Sequence, residues 1–530
     1  TDIPVSTTDT VEGDTSFFGH PKGLLILFLT EMWERFSYYG MRGLLIIYLT
    51  QHFLFSDEKS ALIYGAYTAL VYVMTIIGGT LADRYLGQRK AVTFGAILLV
   101  LGHFGMAFEG SGSQQIATIN GAEYELTLDG RGGDANQIIV QGDKTSLISF
   151  DNETNELVIA EPAVMGLPER IDRSTYDTKI IQQDLFKNIL FLSLALIIAG
   201  VGFLKANIST IVGTLYGVGD ARRDSGFTLF YMGINLGSFL AAFSCGILGI
   251  VYGWAWGFGL AGIGMAAGLG VFLWGQKYLG GRADPPDAEM LKKSVLGPIN
   301  VEWACYLAGL IMIGASMLLV MNEEIVGGIL GPIGILMFLF LVGYAILRLK
   351  GTERNRMFAA IYFVLAQIPF WALFEQAGSS LNLFTDRLVD RTLFGWSVPA
   401  PVFQSLNAGF IFLFAPIIAW LWIWLAKRHK EPSTPVKFAI GVFGVGLGFL
   451  ALVAGIQTVG PSAMTPVLFI FLIYWIHTMA ELMLSPVGLS AVTKLAPPQV
   501  VGMTMGAWFL YSGLSNFLAG IIAQSTGSET

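Results

Sequence analysis

The first long apolar stretch of the chain carries charged side chains that a helix in a bilayer tolerates poorly. Glu31, Glu34 and Arg35 lie close together in it, and Tyr38 and Arg42 follow. Positions 31, 35, 38 and 42 are spaced by four, three and four residues, so they share one face of a helix. Each charge costs on the order of 3 kcal/mol at the centre of a membrane helix. This face must therefore line a polar interior, where carboxylates can exchange protons and cations can bind anions.

The other apolar stretches are also interrupted by polar residues. The charges in the stretches include one more carboxylate than cations, and that carboxylate is expected to take up a proton near neutral pH. The alternative is that ion pairs only lock helices together and that each asparagine is structural. The charges counted are Glu31, Glu34, Glu375 and Glu481 against Arg35, Arg42 and Lys205, and the asparagines are Asn207, Asn235 and Asn407.

Composition identifies the elements that must position these residues. The chain of 530 residues is 54% hydrophobic and 13% charged, whereas soluble proteins have about 25% charged residues. Its apolar runs are long enough to cross a bilayer core of about 30 Å as helices. We therefore predict an all-α polytopic membrane protein and exclude soluble enzymes and nucleic-acid binders. No spacing of His or Cys predicts a metal site, and the sequence lacks the G-x-x-x-x-G-K-[ST] motif of an ATP-driven motor.

Thirteen membrane spans are predicted, and the loops between them give an orientation. The loops rich in Lys and Arg all fall on one side if the N-terminus is cytoplasmic, as positively charged loops do. Residues 1–19 are expected to be a disordered cytoplasmic tail. The spans are 22–50, 60–82, 90–109, 185–214, 226–249, 252–275, 301–321, 327–349, 357–384, 402–426, 436–459, 465–492 and 500–524.

The long connection 111–184 then lies on the extracytoplasmic side. It holds 13 Asp and Glu against 5 Lys and Arg, and its apolar residues alternate with polar ones. Alternation and Asn-Gly turns are typical of hairpins, so we predict a small β-rich domain with further short strands at 137–160. The alternative is a disordered acidic loop. The predicted turns are Asn120-Gly121, Gly142-Asp143 and Asp151-Asn152.

Several motifs resemble those of one family. The sequence Glu-x-x-Glu-Arg-Phe-x-Tyr-Tyr-Gly at 31–40 resembles the E-x-x-E-R-F-x-Y-Y-G motif of the proton-dependent oligopeptide transporters, a branch of the major facilitator superfamily. Residues 227–237 resemble the second signature of that family. The resemblance covers about 20–110 and 185–525. Further similar segments are 78–89, 374–376, 403–407 and 481–488.

The resemblance implies a major facilitator fold of two six-helix bundles with two extra helices, 301–321 and 327–349. It implies uptake of di- and tripeptides with protons by alternating access in the inner membrane, with no cofactor besides the proton and with a monomer as the functional unit. The implied divisions are a tail at 1–19, an amino-terminal bundle at 20–110 and 185–275, the insert at 111–184, a linker with the extra helices at 276–350, and a carboxy-terminal bundle at 351–530.

The sequence departs from the family pattern in three ways. Ala206 stands between Lys205 and Asn207, where the family usually has Lys-Pro-Asn, and the absence of the proline removes a kink from the fourth span. Gly65 stands where some relatives carry a histidine, so this residue cannot handle protons. The chain ends after the thirteenth span, and the last core helix is expected to be missing.

Charge also suggests how a peptide would bind. A peptide zwitterion offers one ammonium, one carboxylate and an amide whatever its side chains are. Arg42 and Lys205 suit the carboxylate, and Glu481 suits the ammonium. The resemblance gives the peptide-binding residues Tyr38, Arg42, Tyr72, Lys205, Asn235, Asn407, Glu481, Ser485 and Trp508, and we expect proton coupling by Glu31, Glu34, Arg35 and Glu375. Two pairs between the bundles, Arg42 with Glu375 and Lys205 with Glu481, are expected to close the outer side.

Alternative functions stay open at this point. The same scaffold could carry another small solute such as nitrate or a glycoside, since the family includes such members. A nutrient receptor that uses the acidic insert as a sensor is a second alternative. An enzyme is the least supported, because the spans contain no nucleophile with a neighbouring base.

Overall fold

Thirteen long helices form the body of the protein in the computed structural model, which describes residues 13–130, 136–151, 154, 156–217, 220, 222–460, 463–497 and 500–526. Within these residues, twelve helices are long and apolar enough to cross a membrane. The remaining helix is the first one in the chain, which is 30 residues long and carries the charged face. The helices are α1 Lys22–Gln51, α2 Asp57–Leu81, α3 Gln88–Met106, α4 Asp184–Thr214, α5 Arg223–Ile247, α6 Trp254–Gly275, α7 Val301–Met321, α8 Glu323–Arg348, α9 Gly351–Phe374, α10 Ser405–Lys427, α11 Thr434–Val459, α12 Leu468–Leu495 and α13 Val501–Ser525.

Each predicted span coincides with one of these helices, but the ninth ends early. Helix α9 stops at Phe374, a 3₁₀ turn follows at Glu375–Gly378, and a separate helix runs over Ser380–Leu388. The predicted span 357–384 lies within the candidate membrane span Gly351–Leu388, but the helix is interrupted there instead of continuous. At the interruption the hydroxyl of Tyr64 lies so close to Gly378 that only glycine fits, since a Cβ atom there would overlap it.

The helices form the expected two bundles. Helices α1 to α6 pack against one another, and α1 contacts α5 and α6 extensively. Helices α9 to α13 form the second group. Each group has its own buried apolar core. Helices α7 and α8 lie outside both groups, with only 33% and 22% of their most apolar segments buried. Helix α4 runs without interruption past Ala206, as expected without a proline.

The connection 111–184 folds as the predicted β-rich domain. Seven strands form one sheet in the order β6-β5-β4-β3-β2-β1-β7, with antiparallel pairing throughout. Ile119 pairs with Ala122 around the predicted hairpin turn, where Asn120 and Gly121 both have positive φ. The strands are β1 Gln114–Ile119, β2 Ala122–Asp129, β3 Asn136–Gln141, β4 Lys144–Phe150, β5 Leu157–Ile159, β6 Arg170–Ile171 and β7 Tyr176–Ile181.

The other two predicted turns fall near the ends of β3 and β4. Gln141 pairs with Lys144 around Gly142-Asp143, so this turn is confirmed. The third turn includes Asn152, which lies outside the described residues. The sheet has one apolar face that forms a small core, with Ala117, Ile139 and Leu157 fully buried.

The position of the sheet defines two ends of the helical body. We call the end where the sheet is attached, between α3 and α4, the insert end, and the opposite one the distal end. The main chain nitrogen of Ser113 donates to His52 O at 2.8 Å, and the Gln182 side chain donates to Phe53 O at 2.9 Å. These bonds join the sheet to the end of α1.

The polypeptide before α1 packs against the distal end. Of the predicted tail at 1–19, residues 1–12 lie outside the described residues. Arg222 Nη1 donates to the carbonyl of Gly19 at 3.1 Å, and His20 Nδ1 lies 2.9 Å from the Tyr216 hydroxyl. The segment therefore contacts the loop between α4 and α5.

Short elements complete the loops. One-turn helices lie at Pro162–Met165 and Ala288–Lys292, and 3₁₀ turns lie at Arg173–Thr175, Gln276–Leu279 and Ala400–Gln404. Two-stranded ribbons pair Ser294–Leu296 with Ile299–Asn300, Val389–Asp390 with Thr465–Pro466, and Thr392–Leu393 with Trp396–Ser397.

Candidate functional site

Arg35 is held by two carboxylates of its own helix. Its Nε lies 3.1 Å from Glu31 Oε1, and it also pairs with Glu34. None of the three side chains is more than 4% exposed. The guanidinium lies over the Tyr38 ring, 5.3 Å from its centroid. Two acids that share one cation carry an excess negative charge, so the cluster can bind a proton.

Several atoms of this cluster are paired by charge without a hydrogen bond. In the described part of the chain, Glu31 Oε2, both carboxylate oxygens of Glu34, and Arg35 Nε and Nη2 have no hydrogen-bond partner. A buried polar atom without such a partner costs about 1–3 kcal/mol. The carboxylate oxygens among these atoms can accept a proton.

Arg42 links the two bundles. Its guanidinium forms an ion pair with Glu375, in the 3₁₀ turn after α9, and its Nε donates to the Tyr64 hydroxyl at 2.6 Å. Both charged side chains are about nine-tenths buried. The arginine on α1 and the acid on the other bundle can keep this pair only while the bundles touch at this depth.

Lys205 lies on α4 and faces an aromatic ring instead of a carboxylate. Its Nζ is 4.2 Å from the centroid of the Tyr72 ring, a cation–π contact. The strongest charges that act on its ammonium are those of Arg35, Glu34 and Glu31. Lys205 is thus an ammonium held by a ring, next to the Arg35 cluster and available to an anion.

The carboxy-terminal bundle contributes an acid with an amide partner. Asn407 Nδ2 donates to Glu481 Oε2 at 2.9 Å and lies 3.1 Å from Thr478 Oγ1. Because the amide holds one carboxylate oxygen in place, the second can accept from an ammonium. Among the described residues, the expected pair of Lys205 with Glu481 is not formed in this state.

The remaining predicted residues are dispersed. Asn235 is buried on α5 and donates to the carbonyl of Tyr231. Ser485 lies one turn after Glu481 and is half-buried. Trp508 is 6% exposed and packs against Gly488, in the core of its own bundle. The peptide-binding roles of these residues stay predictions.

Sequence reasoning missed three side chains of the site. Tyr64 accepts from Arg42, Tyr67 stacks on Tyr38 with centroids 6.4 Å apart, and Thr478 contacts Asn407. The two tyrosines were detectable, because they stand three residues apart in an apolar span and a buried tyrosine needs a partner for its hydroxyl. Thr478 gave no such signal, since its contact depends on how α10 and α12 pack.

The bundles touch at the insert end. Arg387 pairs with Asp57 in a two-pronged ion pair at 2.5 and 2.8 Å, and Asn382 donates to the carbonyl of Gly43 at 2.9 Å. The backbones of α2 and α13 approach so closely that a Cβ on Gly65 would lie 2.8 Å from Gly520 Cα. The space between the bundles is therefore closed on this side.

Deeper in the protein, polar side chains of both bundles keep exposed surface. Lys205 on α4, and Asn407 and Glu481 in the carboxy-terminal bundle, are only partly buried. The site thus lies beneath a closed insert end and borders a gap. Among the described residues, no group of His, Cys, Asp and Glu could hold a metal ion.

Comparison with known proteins agrees with this arrangement. The model of the POT family matches residues 89–530. The chain is 35% identical to the uncharacterized transporter YclF of Bacillus subtilis over 93% of this chain and 86% of that protein. It is 34% identical to the peptide transporter YePEPT of Yersinia enterocolitica over 98% and 90% of the two chains.

A solved structure has the same fold. A crystal structure of a mutant of the peptide transporter POT in complex with alafosfalin superposes with a TM-score of 0.72 at 32% identity, covering 98% of this chain and 91% of that one. The two-bundle fold is thus that of the major facilitator superfamily, and the family is one of peptide transporters and not of enzymes. On its sequence, its fold and the match of the family model, the chain belongs to the POT family.

Proposed function

We propose that the protein imports di- and tripeptides together with protons by alternating access. The observation that carries this proposal is the distribution of charge on the two sides of the gap. Arg35 and Lys205 stand on the amino-terminal bundle, and Glu481 with Asn407 stands on the other. A peptide has a carboxylate at one end and an ammonium at the other, so opposing charges on the two bundles match it.

Broad tolerance of peptide side chains follows from the same arrangement. The polar groups that face the gap recognise only what all peptides share, the two charged ends and the amide. The relative named a peptide transporter and the family model support peptides as the substrate class. The restriction to two or three residues comes from the resemblance and is part of the proposal.

Proton coupling is assigned to the first helix. Glu31 and Glu34 share Arg35, so a proton on one acid changes how firmly the guanidinium is held. A loosened Arg35 or its neighbour Lys205 can then bind the peptide carboxylate. Proton entry and substrate loading are linked in this way. Glu375 is a further acid that can bind a proton when its ion pair with Arg42 breaks.

We further propose that the protein resides in the cell inner membrane as a monomer among lipids, with the N-terminus in the cytoplasm. The Lys- and Arg-rich loops then lie inside and the acidic sheet lies on the periplasmic or extracellular side. With that orientation the closed insert end is the outer one. Under this proposal the protein is in an inward-facing state.

The experiment is transport by the purified protein in liposomes. We expect counterflow of a labelled dipeptide, and accumulation of it when a pH gradient is applied with the inside alkaline. A protonophore should abolish accumulation and leave counterflow intact. Peptide binding without counterflow would indicate a receptor, and counterflow of nitrate or a glycoside instead of peptide would indicate the alternative solutes.

A further inference from the structure

Helix α7 is fastened to the amino-terminal bundle near the distal end. Lys90 Nζ lies 2.6 Å from Glu302 Oε1. One turn further on, the ring of Tyr306 lies 5.0 Å from that of Phe94. A Cβ on Gly309 would lie 2.6 Å from the Phe94 ring, and α7 also packs along α4 of the same bundle. This leg of the helical hairpin therefore follows any movement of the amino-terminal bundle.

Helix α8 is fastened to the other bundle. The Tyr511 hydroxyl, on α13, donates to the carbonyl of Gly334 at 2.7 Å. Closer to the distal end, Leu341 and Ala345 are fully buried in the same core as Met357 of α9. This second leg therefore follows the carboxy-terminal bundle.

The two legs meet at the insert end, where the bundles also meet. Only Asn322 separates the two helices. The first turns of α8 contact both α2 and α13, and Gly327 packs directly on Phe517. Phe517 lies three residues before Gly520, whose backbone touches that of Gly65. The turn of the hairpin thus covers the seam between the bundles.

We infer that the hairpin of residues 301–348 is a strap that sets the balance between the two conformations of the transporter. The inference rests on the alternating access proposed above. Each leg is one continuous helix attached to a different bundle, and a single residue joins them. Opening of the insert end and closure of the distal end change the angle between the legs, and some of the attachments must then yield.

The direction of the effect follows from where the contacts are made. All attachments described above are present in the state closed at the insert end, so they stabilise that state relative to the other. None of the charged or polar residues of the candidate site described above lies on the hairpin, so it is not part of that site. Loss of an attachment should therefore shift the conformational equilibrium toward distal closure and leave peptide binding unaltered.

Glycine positions on each leg provide matched variants. Gly309→Leu would push α7 off Phe94, and Gly327→Leu would push α8 off Phe517. On the same helices, Gly314→Leu and Gly328→Leu place the same side chain where a Cβ meets nothing within 4 Å. The second pair keeps the change in composition and helix propensity and serves as the control.

The readout is the distance between spin labels at Arg84→Cys and Lys430→Cys, two exposed positions in distal loops of different bundles. We expect each of the two disruptive variants to raise the short-distance population at least about threefold in liposomes without peptide. The controls should match the parent protein. Equal populations in disruptive variants and controls would overturn the inference.

A charge exchange provides a second test that does not depend on the folding of the leucine variants. Lys90→Glu and Glu302→Lys should each shift the populations in the same direction, and the double variant should restore the parent distribution. A double variant no closer to the parent than the singles would contradict the attachment at this site. Peptide counterflow by the parent protein is measured in parallel, so failure of the strap and failure of the proposed function give different results.

Discussion

Two arginines on the same face of α1 are held in opposite ways. Arg35 is paired with Glu31 and Glu34, both from its own helix. Arg42, two turns further along, is paired with Glu375 from the other bundle. The first cluster keeps its partners whatever the bundles do, whereas the second pair exists only while the insert end is closed.

This difference separates two tasks that a coupled transporter must combine. A cluster within one helix keeps its geometry when the helix moves. What can change in it is its charge, through binding or release of a proton. A pair between bundles reports the conformation, and removal of one partner from a buried pair costs about 3–5 kcal/mol. The ammonium of Lys205 is near the charges of the Arg35 cluster and is also influenced by Glu375, so it can link the two.

The largest effect is expected at the pair between the bundles. Arg42→Ala leaves Glu375 buried without its cation, which should destabilise the state closed at the insert end by about 3–5 kcal/mol. Driven uptake and counterflow should both fall below detection, and the spin-label distance at the distal end should shorten. Lys187→Ala, which breaks a pair with Asp184 within α4 at the same end, is the control and should keep most counterflow. Normal counterflow by Arg42→Ala would show that the pair is no gate.

Lys205→Ala tests the link between the two arginines. Loss of the ammonium leaves the carboxylates of α1 without their second cation and removes one partner of the peptide carboxylate. Accumulation of labelled dipeptide driven by a pH gradient should be abolished. Lys59→Ala, a change at an exposed lysine near the insert end, is the matched control. Accumulation at the parent rate in Lys205→Ala would place the coupling elsewhere.

Replacement of the acids of α1 distinguishes a role in proton coupling from a purely structural role in holding Arg35. With Glu31→Gln or Glu34→Gln, at least one variant should lose uptake driven by a proton gradient and retain counterflow, which needs no net proton movement. Glu324→Gln changes an exposed acid and should affect neither. Loss of both activities with poor folding would support a structural clamp on Arg35, and unchanged driven uptake in both variants would refute the proposal.

A smaller effect is expected in the carboxy-terminal bundle. Asn407→Ala removes the amide that holds Glu481, and a hydrogen bond to a charged group contributes about 1.5–3 kcal/mol. The peptide concentration for half-maximal counterflow should rise roughly tenfold or more with little change in the maximal rate. Ser244→Ala, at an exposed hydroxyl of α5, is the control. A lower maximal rate at an unchanged half-saturation would mean that Asn407 acts on gating instead.

The smallest effect concerns pH at the distal end. Burial lowers the pKa of His20 below its ordinary 6.5, the charge of Arg222 lowers it further, and Asp220 opposes the shift. Because the folded pKa is depressed, His20 supports docking of residues 13–20 fully above pH 6.5, and the support is lost as pH falls toward the folded value.

Hydrogen exchange measures this docking directly. We expect the protection of residues 13–20 to decrease between about pH 7 and pH 5 relative to the sheet, after correction for intrinsic exchange rates. The variant His20→Gln should remove this dependence and His429→Gln, at an exposed histidine, should retain it. A dependence that persists in His20→Gln would assign it to another group.

Much of the fold was predictable because the bilayer is a simple solvent. A helix that crosses it needs about twenty apolar residues. Among the described residues, twelve of the thirteen predicted spans match helices that are long and apolar enough to cross a membrane, and the first matches the charged helix α1. The insert was equally predictable, since alternating apolar and polar residues and an Asn-Gly turn encode the first hairpin locally. The break after Phe374 in the ninth span was not predicted, because the segment Gly351–Leu388 as a whole is long and apolar enough to cross a membrane.

For the site, the sequence by itself determined which residues are charged within the membrane and which of them share a face of α1, because helix periodicity is local. Only the tertiary structure decided the partners. It joined Arg42 to Glu375 across the bundles, gave Glu481 an amide instead of Lys205, and set Lys205 on an aromatic ring. Partnership depends on the relative position of two bundles that are distant in sequence, and no local pattern encodes that position.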